Sequence, residues 1–195
     1  MGLELLPTTI LENYECREWK HAAAILKTDF PGEWAEILDV LSGFELTKSS
    51  VLTPGGGKSP IAKGVDERFA QMGWVEKKFN TKVIVDGQEA DSPTHKVDCF
   101  KNRIALEIEW NNKDPFFDRD LNNFRLLFDL RAISVGVIIT RSDALQEIFD
   151  RLGKGPSYGN STTHMGKLLP RIEGGSGGGC PLLAFGITKN LFRDR

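Results

Sequence analysis

The chain is poor in the residues that build disulfide frameworks and zinc sites. Its 195 residues include 3 cysteines and 3 histidines, and Cys16, Cys99 and Cys180 lie far apart. An odd and dispersed set of cysteines argues against a disulfide scaffold, and neither His95 nor His164 belongs to a cluster with zinc-ligand spacing. We therefore expect reduced, buried thiols in a cytoplasmic protein.

The chain also lacks long apolar runs and an excess of basic charge. No apolar stretch approaches the length of a membrane helix, and the N-terminal MGLELLPTTILENYE carries acids instead of the basic start of a signal peptide. The formal net charge of -2 does not point to nucleic acid, although basic residues can cluster locally in a fold. With 27% charged and 40% hydrophobic residues, the composition fits one globular domain spanning 1–195.

What the chain does have is a stretch, residues 97–110 (VDCFKNRIALEIEW), that places acids on two short apolar runs. Asp98 lies in the first run, and Glu107 and Glu109 lie in the second. Residues two apart in a strand share a face, so we expect Glu107 and Glu109 side by side, with the apolar residues facing the other way. Residues 101–103 predict a hairpin turn, which would bring Asp98 close to Glu107.

Acids on one face of an apolar strand indicate a bound cation. Mg²⁺ prefers carboxylate and carbonyl oxygens, so we expect Asp98, Glu107 and the carbonyl of Ile108 to hold it and support metal-assisted hydrolysis. Glu109 would be a second ligand or the base that orients the attacking water. Without metal the acids repel one another, so at least one should have a raised pKa. Alternatively, Glu107 and Glu109 form the solvent-exposed face of an edge strand.

The remaining segments alternate between helical and strand patterns. The GGGKS piece at 55–59 lacks the G-x-x-x-x-G-K-[ST] spacing of a nucleotide-binding loop, which leaves a loop that touches a phosphate backbone or a plain solvent loop. The patterns predict helices over 9–28, 33–41, 60–73, 115–131 (capped by Asp114) and 142–152, β-structure over 74–86, 135–140 and 181–187, a polar turn over 87–94, and loops over 47–60 and 153–180.

The run VDCFKNRIALEIEWNNKD, followed by FFDRDLNNFRLL and VGVIIT, resembles the core of type II restriction endonucleases of the BamHI/BglII (BstYI-like) kind. These enzymes have the PD-(D/E)XK nuclease fold, in which an Asp on one strand and a Glu-x-(Glu, Gln or Lys) on the next form the metal site. Asp98, Glu107 and Glu109 match these positions, although Val97 stands where the proline of the fold's name would be. The resemblance implies an α/β fold with a central mixed β-sheet flanked by helices.

The resemblance also implies a Mg²⁺-dependent, site-specific deoxyribonuclease. It would be a homodimer that clamps a short palindromic site in double-stranded DNA, with a helical dimer face from 115–131 and 142–152, and cuts both strands to leave 5′ phosphates. The family's fourth active-site residue would correspond to Glu76 or Lys77. A cognate DNA methyltransferase encoded nearby would protect the host. The alternatives are a repair or junction nuclease of the same fold and a DNA-binding module that does not cleave.

Polar residues that flank the expected metal site are the candidate DNA contacts. Base edges are read by Asn, Arg, Lys, Ser and His side chains, and phosphates are contacted by Lys. Taken singly, each candidate also fits a solvated surface position. The candidates are Asn111, Asn112, Lys113, Arg119, Asn122, Asn123, Lys58, Ser157 and His164.

Overall fold

A mixed six-stranded sheet forms the centre of the molecule, in the order β1-β9-β8-β7-β6-β3. The computed structural model describes residues 2–54 and 57–195. Strands β7, β8 and β9 are parallel, whereas β1, β6 and β3 are antiparallel to their neighbours. The strands are β1 (Tyr14–Trp19), β2 (Leu46–Thr47), β3 (Val75–Lys77), β4 (Asn80–Val85), β5 (Gln88–Pro93), β6 (Val97–Lys101), β7 (Ile104–Ile108), β8 (Val135–Arg141), β9 (Leu182–Ile187) and β10 (Phe192–Arg193).

Helices cover both faces of this sheet. Helices α1, α2, α3 and α5 share one apolar core with Ile104 and Leu106 of β7, and α6 and α8 share the other with Ala105. The predicted α/β class with a helix-flanked mixed sheet is therefore confirmed. No helix of the described residues is long and apolar enough to cross a membrane. The helices are α1 (Thr8–Asn13), α2 (Ala22–Asp29), α3 (Pro31–Ser42), α4 (Lys48–Leu52), α5 (Pro60–Gln71), α6 (Pro115–Asp129), α7 (Gln146–Arg151) and α8 (Met165–Glu173).

The hairpin predicted between the two acidic runs is present. Strands β6 and β7 pair antiparallel, with Cys99 opposite Leu106. The turn residues Asn102 and Arg103 both have positive φ, 42° and 69°. Positive φ at both central residues is the geometry of a two-residue hairpin loop that matches the twist of its strands. This local geometry fixes the register that brings the acids together.

Strand β8 is buried along its whole length, as the run VGVIIT predicted for a central strand. Gly136 is required where α6 crosses the strand, because a Cβ there would lie 2.6 Å from Cδ2 of Phe124. The missing side chain lets α6 approach the sheet closely. The position of α6 matters because this helix faces the acids of β7.

The predicted helix over 9–28 is wrong. Its middle is the strand β1, which pairs antiparallel with β9 and buries Tyr14 and Cys16 while Arg17 stays exposed. Lys20 and His21 have φ of 54° and 58°, so the chain turns sharply before α2 begins. The sequence of β1 does alternate between buried and less buried residues, as a strand does. The strand that pairs with it, β9, lies near the other end of the sequence.

The polar turn predicted over 87–94 is also wrong. The turn residues are Asp86 and Gly87, with φ of 50° and 82°, and 88–93 form β5 opposite β4. The loop over 47–60 was predicted too broadly, since it contains α4, whereas MGKLLPRI within the loop-rich stretch 153–180, where a helical turn was considered, forms most of α8. Of the GGGKS piece, Gly55 and Gly56 lie outside the described residues. Asp114 makes no side-chain capping bond to α6.

Candidate active site

Strands β6 and β7 fork where Asp98 and Glu107 lie, because each carboxylate takes a backbone N–H of the opposite strand. The amide of Ile108 donates to Oδ2 of Asp98 over 3.1 Å, and the amide of Asp98 donates to Oε2 of Glu107 over 3.3 Å. Backbone pairing stops one residue earlier, at Cys99 and Leu106. The hairpin register therefore brings these two acids together at the fork, where the amide of Ile108 binds Asp98.

Glu109 follows directly after β7 and is 1% exposed. Asn112 Nδ2 donates to its Oε2 over 2.8 Å, and Arg119 Nη2 donates to its Oε1 over 3.2 Å. Glu107 is equally buried, and β7 lies inside the sheet between β6 and β8. The alternative that these two acids form the solvent face of an edge strand is therefore wrong.

Burial of these acids changes their protonation. It raises the pKa of Glu107 well above the usual range, with Asp120 and Asp98 adding like charge. Burial, followed by Asp120, raises the pKa of Glu109 to about 9. Burial also raises the pKa of Asp120. The expectation that at least one acid has a raised pKa is confirmed, and a group that resists losing its proton is a common mark of a functional site.

Residues of α5 and the loop before it also contact the fork. The Lys58 ammonium forms an ion pair with Asp66 of α5, and it lies 3.5 Å from Oδ1 of Asp98. Cys99 Sγ lies 3.8 Å from Oδ1 of Asp66. A positive charge of the chain itself therefore lies beside the acids.

These acids open into a cleft of about 850 Å³. Glu76 stands at its rim, 59% exposed and paired with Lys96 over 2.6 Å. Other residues predicted from the sequence also border the cleft. They are Lys58, Asp98, Ile108, Glu109, Asn111, Asn112, Arg119 and Ser157.

Other candidate DNA contacts lie elsewhere. Asn123 is buried and donates to the carbonyl of His95 over 3.2 Å, and Asn122 is exposed and accepts from Arg125. His164 is 7% exposed at the start of α8, with Nδ1 2.7 Å from Oδ1 of Asp143. Lys113 is exposed, and its backbone pairs with Thr162. None of these four candidates borders the described cleft.

Sequence reasoning missed two acids that helices bring to the site. Asp120 of α6 is fully buried and contributes to the pKa values of Glu107 and Glu109. Asp66 of α5 lies beside Lys58. Asp120 stands three residues after Phe117 and four before Phe124, on the apolar face of its helix. An acid in such a stripe was the signal that could have found it.

It also missed that the segment 161–163 supports the turn after β7. The amide of Thr163 donates to the carbonyl of Asn112 over 2.8 Å, and the amide of Asp114 donates to the carbonyl of Ser161 over 3.0 Å. Arg141, 1% exposed, donates to Thr162 Oγ1 over 3.0 Å. A buried guanidinium thus holds in place a largely buried segment that contacts the cleft-lining turn.

The donor set at the fork fits a hard divalent cation. Oε1 of Glu107 is buried and has no hydrogen-bond partner among residues 2–54 and 57–195. An orphaned carboxylate oxygen beside a second carboxylate is costly unless a positive charge meets it. Across the described residues, no three Asp, Glu, His or Cys side chains already converge as a metal cluster. The fork therefore offers two carboxylates, to which backbone or water oxygens would be added.

The mixed central sheet flanked by helices is consistent with a restriction endonuclease fold. The family model described as "Restriction endonuclease BglII/BglIII" matches residues 14–187. The chain belongs to this family and is a type II restriction endonuclease, a site-specific deoxyribonuclease that acts on double-stranded DNA. The comparison with curated proteins found no match.

Proposed function

We propose that the enzyme is a Mg²⁺-dependent homodimer that cuts both strands of a short palindromic site and leaves 5′ phosphates. The observation that carries this proposal is the fork, where Asp98 borders the cleft, Glu107 lies buried beside it, and Oε1 of Glu107 has no hydrogen-bond partner among the described residues. A hard cation offsets the cost of burying these acids, which hydrophobic packing cannot do.

In this proposal Asp98, Glu107 and the carbonyl of Ile108 hold the cation. When bound, Mg²⁺ polarises a phosphoryl oxygen, lowers the pKa of a bound water and stabilises the leaving oxygen. Asp98 keeps its position through the amide of Ile108, and Glu107 keeps its position through the amide of Asp98. Rigid strands therefore hold both carboxylates ready for a ligand.

Glu109 orients the attacking water and accepts its proton. Its carboxylate is held by side chains, Asn112 and Arg119, instead of by strand amides, and it borders the cleft. Glu109 acts as a base only in its charged form, and a cation held by Asp98 and Glu107 would favour that form despite the raised pKa of Glu109. Glu76 remains the proposed fourth active-site residue at the rim.

The DNA lies along the cleft in this proposal. Asn111 and Ser157 face base edges, and Lys58 faces the phosphate backbone, whereas Asn112 and Arg119 border the cleft with side chains that already bind Glu109. All five border the cleft, which supports them over the candidates that lie outside it.

A second copy completes the enzyme, because a palindromic site presents two equivalent scissile bonds. The exposed faces of 115–131 and 142–152 supply the contact. Their large apolar residues Phe117, Leu121 and Phe124 are fully buried in the protomer and so do not supply it. Light scattering on the purified protein should give the mass of two copies. A cognate methyltransferase modifies the same site, so methylated host DNA should resist cleavage.

Cleavage of plasmid DNA tests the proposal. Supercoiled plasmid should give discrete bands with Mg²⁺ and none with EDTA, and a DNA ligase should rejoin the fragments without prior phosphorylation. Asp98→Asn should lower the cleavage rate by more than about 100-fold, since even outer partners of metal ligands cost up to that much. Glu45→Gln is the control, because Glu45 pairs with Arg193 outside both the cleft and the proposed dimer face.

Other outcomes contradict the proposal. A requirement for nicks or junctions in the DNA would indicate a repair-type nuclease. Binding of the plasmid without cleavage would indicate a DNA-binding module. Cleavage by Asp98→Asn at the wild-type rate would reject the assigned metal site.

A further inference from the structure

Both carboxylate oxygens of Glu109 are held by neighbouring side chains. Asn112 takes Oε2, and Arg119 takes Oε1. Because the side chain is almost fully buried, these two donors fix the direction in which the carboxylate points. Asn112 follows in the same turn, and its amide donates to Oγ1 of Thr163 over 3.2 Å. Arg119 has no such support, since it projects from α6 and is 31% exposed.

Asp120 supplies the missing anchor for Arg119. Its Oδ1 accepts from Nε of Arg119 over 2.8 Å, and Nη2 of the same guanidinium lies 2.7 Å away. Phe116 supports the guanidinium from another side, with its ring centre 4.3 Å from the guanidinium carbon. A long arginine side chain has many conformations, and a two-atom contact to a fully buried carboxylate leaves few of them.

Stability alone does not explain an acid at this position. Asp120 is fully buried on the apolar face of α6, and its Oδ2 has no hydrogen-bond partner in the described part of the chain. It also adds negative charge beside Glu107 and Glu109. Burying a carboxylate among other acids costs free energy that its partly exposed arginine partner offsets only in part, and such residues are commonly kept for function.

We propose that Asp120 is a positioning residue: by anchoring Arg119 it keeps the Glu109 carboxylate aimed at the cleft. Asp120 itself contacts neither the DNA nor the cation. The role assigned here rests on the proposed function, in which Glu109 orients the attacking water.

Four proteins test this role: the wild type, Asp120→Asn, Arg119→Ala and the double variant. Asp120→Asn keeps the shape of the side chain and removes its charge. It should lower kcat for plasmid cleavage about 10- to 100-fold, the range seen for outer-shell partners, with KM unchanged. In the Arg119→Ala background the same change should have no further effect on kcat, because Asp120 acts through Arg119.

Thermal unfolding of the same proteins separates positioning from structural support. A structural role predicts that Asp120→Asn loses stability and activity together. Positioning predicts a melting temperature equal to or above that of the wild type, because a buried like charge is gone. Glu45→Gln, which loses an acid–arginine contact to Arg193 outside both the cleft and the proposed dimer face, should keep the wild-type kcat.

Wild-type kcat in Asp120→Asn, independent effects of the two substitutions, or a joint loss of stability and activity would each overturn the proposal. If the wild type does not cut DNA at all, the proposed function fails separately. A crystal structure of Asp120→Asn then decides the positioning role, because Arg119 should have left Oε1 of Glu109. An unchanged Arg119–Glu109 contact in that structure would reject it.

Discussion

At the scale of single residues, Lys58 brings a positive charge of the chain into the acidic fork. Its ammonium pairs with Asp66 and lies 3.5 Å from Asp98. Partial burial lowers its pKa, but Asp66 and Asp98 outweigh this and raise it, so the charge stays in place. A metal ion that uses Asp98 must compete with this ammonium.

Removing the Lys58 charge should therefore strengthen metal binding in the absence of DNA. We expect Lys58→Met to bind Mn²⁺ roughly tenfold more tightly than the wild type, equivalent to about 1.4 kcal/mol. Titration calorimetry on the DNA-free protein measures this. Lys63→Met is the control, since Lys63 is exposed and pairs with Glu67 instead of the fork. Equal or weaker binding by Lys58→Met would show that Lys58 does not compete with the metal.

The predictable part of the site is the part that lies on one hairpin. Asp98, Glu107 and Glu109 follow from the strand period and a short turn, which are local properties of the sequence. Asp66 and Asp120 come from helices, and their positions depend on how α5 and α6 pack on the sheet. No local pattern fixes that packing, so these two acids could be noticed as misfits in apolar stripes but not assigned to the site.

At the scale of elements, the errors have distinct causes. Strand β1 contains Glu15, Arg17 and Glu18, which favour helix in isolation, and it becomes a strand because β9 pairs with it. The Asp86-Gly87 turn has a different explanation: an Asp-Gly pair is a strong hairpin signal, so β5 was predictable from the sequence. The helix over 9–28 was therefore predicted wrongly because the pairing of β1 with β9 is long-range, and the turn over 87–94 because the Asp-Gly signal was overlooked.

The close approach of α6 to β8 should make Gly136 sensitive to any side chain. A Cβ at Gly136 would press on Phe124 and Leu182, so Gly136→Ala should lower the free energy of unfolding by about 1–3 kcal/mol. It should also slow cleavage, because α6 carries Arg119 and Asp120. Denaturant unfolding and plasmid cleavage are the measurements. Gly64→Ala in α5, where an added Cβ meets nothing within 4 Å, should instead raise stability by about 0.5–1 kcal/mol. A neutral Gly136→Ala would contradict the close packing.

At the scale of the whole molecule, folding buries acids that the unfolded chain leaves in water. The pKa of Glu109 is raised to about 9 by burial and then by Asp120, and that of Glu107 is raised too, whereas both are near 4.5 when unfolded. Between these values the folded state holds protons that the unfolded state has released. The free energy of unfolding must therefore fall as pH rises through this range. Burial lowers the pKa values of His95 and His164, which has the opposite effect only near and below pH 6.5.

The metal-free protein should accordingly lose stability between pH 7 and pH 8.5, below the ordinary range of the cysteine thiols. Each proton involved contributes up to about 1.4 kcal/mol per pH unit. Glu109→Gln should make stability depend less steeply on pH, because the proton of Glu109 no longer contributes. Glu67→Gln, which changes an exposed residue of α5, should leave the pH dependence unchanged. Adding Mg²⁺ should restore more stability at pH 8.5 than at pH 7, because metal binding needs deprotonated ligands. Thermal unfolding with EDTA and with Mg²⁺ at both pH values measures these differences. A melting temperature that does not change with pH in EDTA, or a Mg²⁺ effect that is larger at pH 7, would show that the buried acids are already ionised in the folded protein.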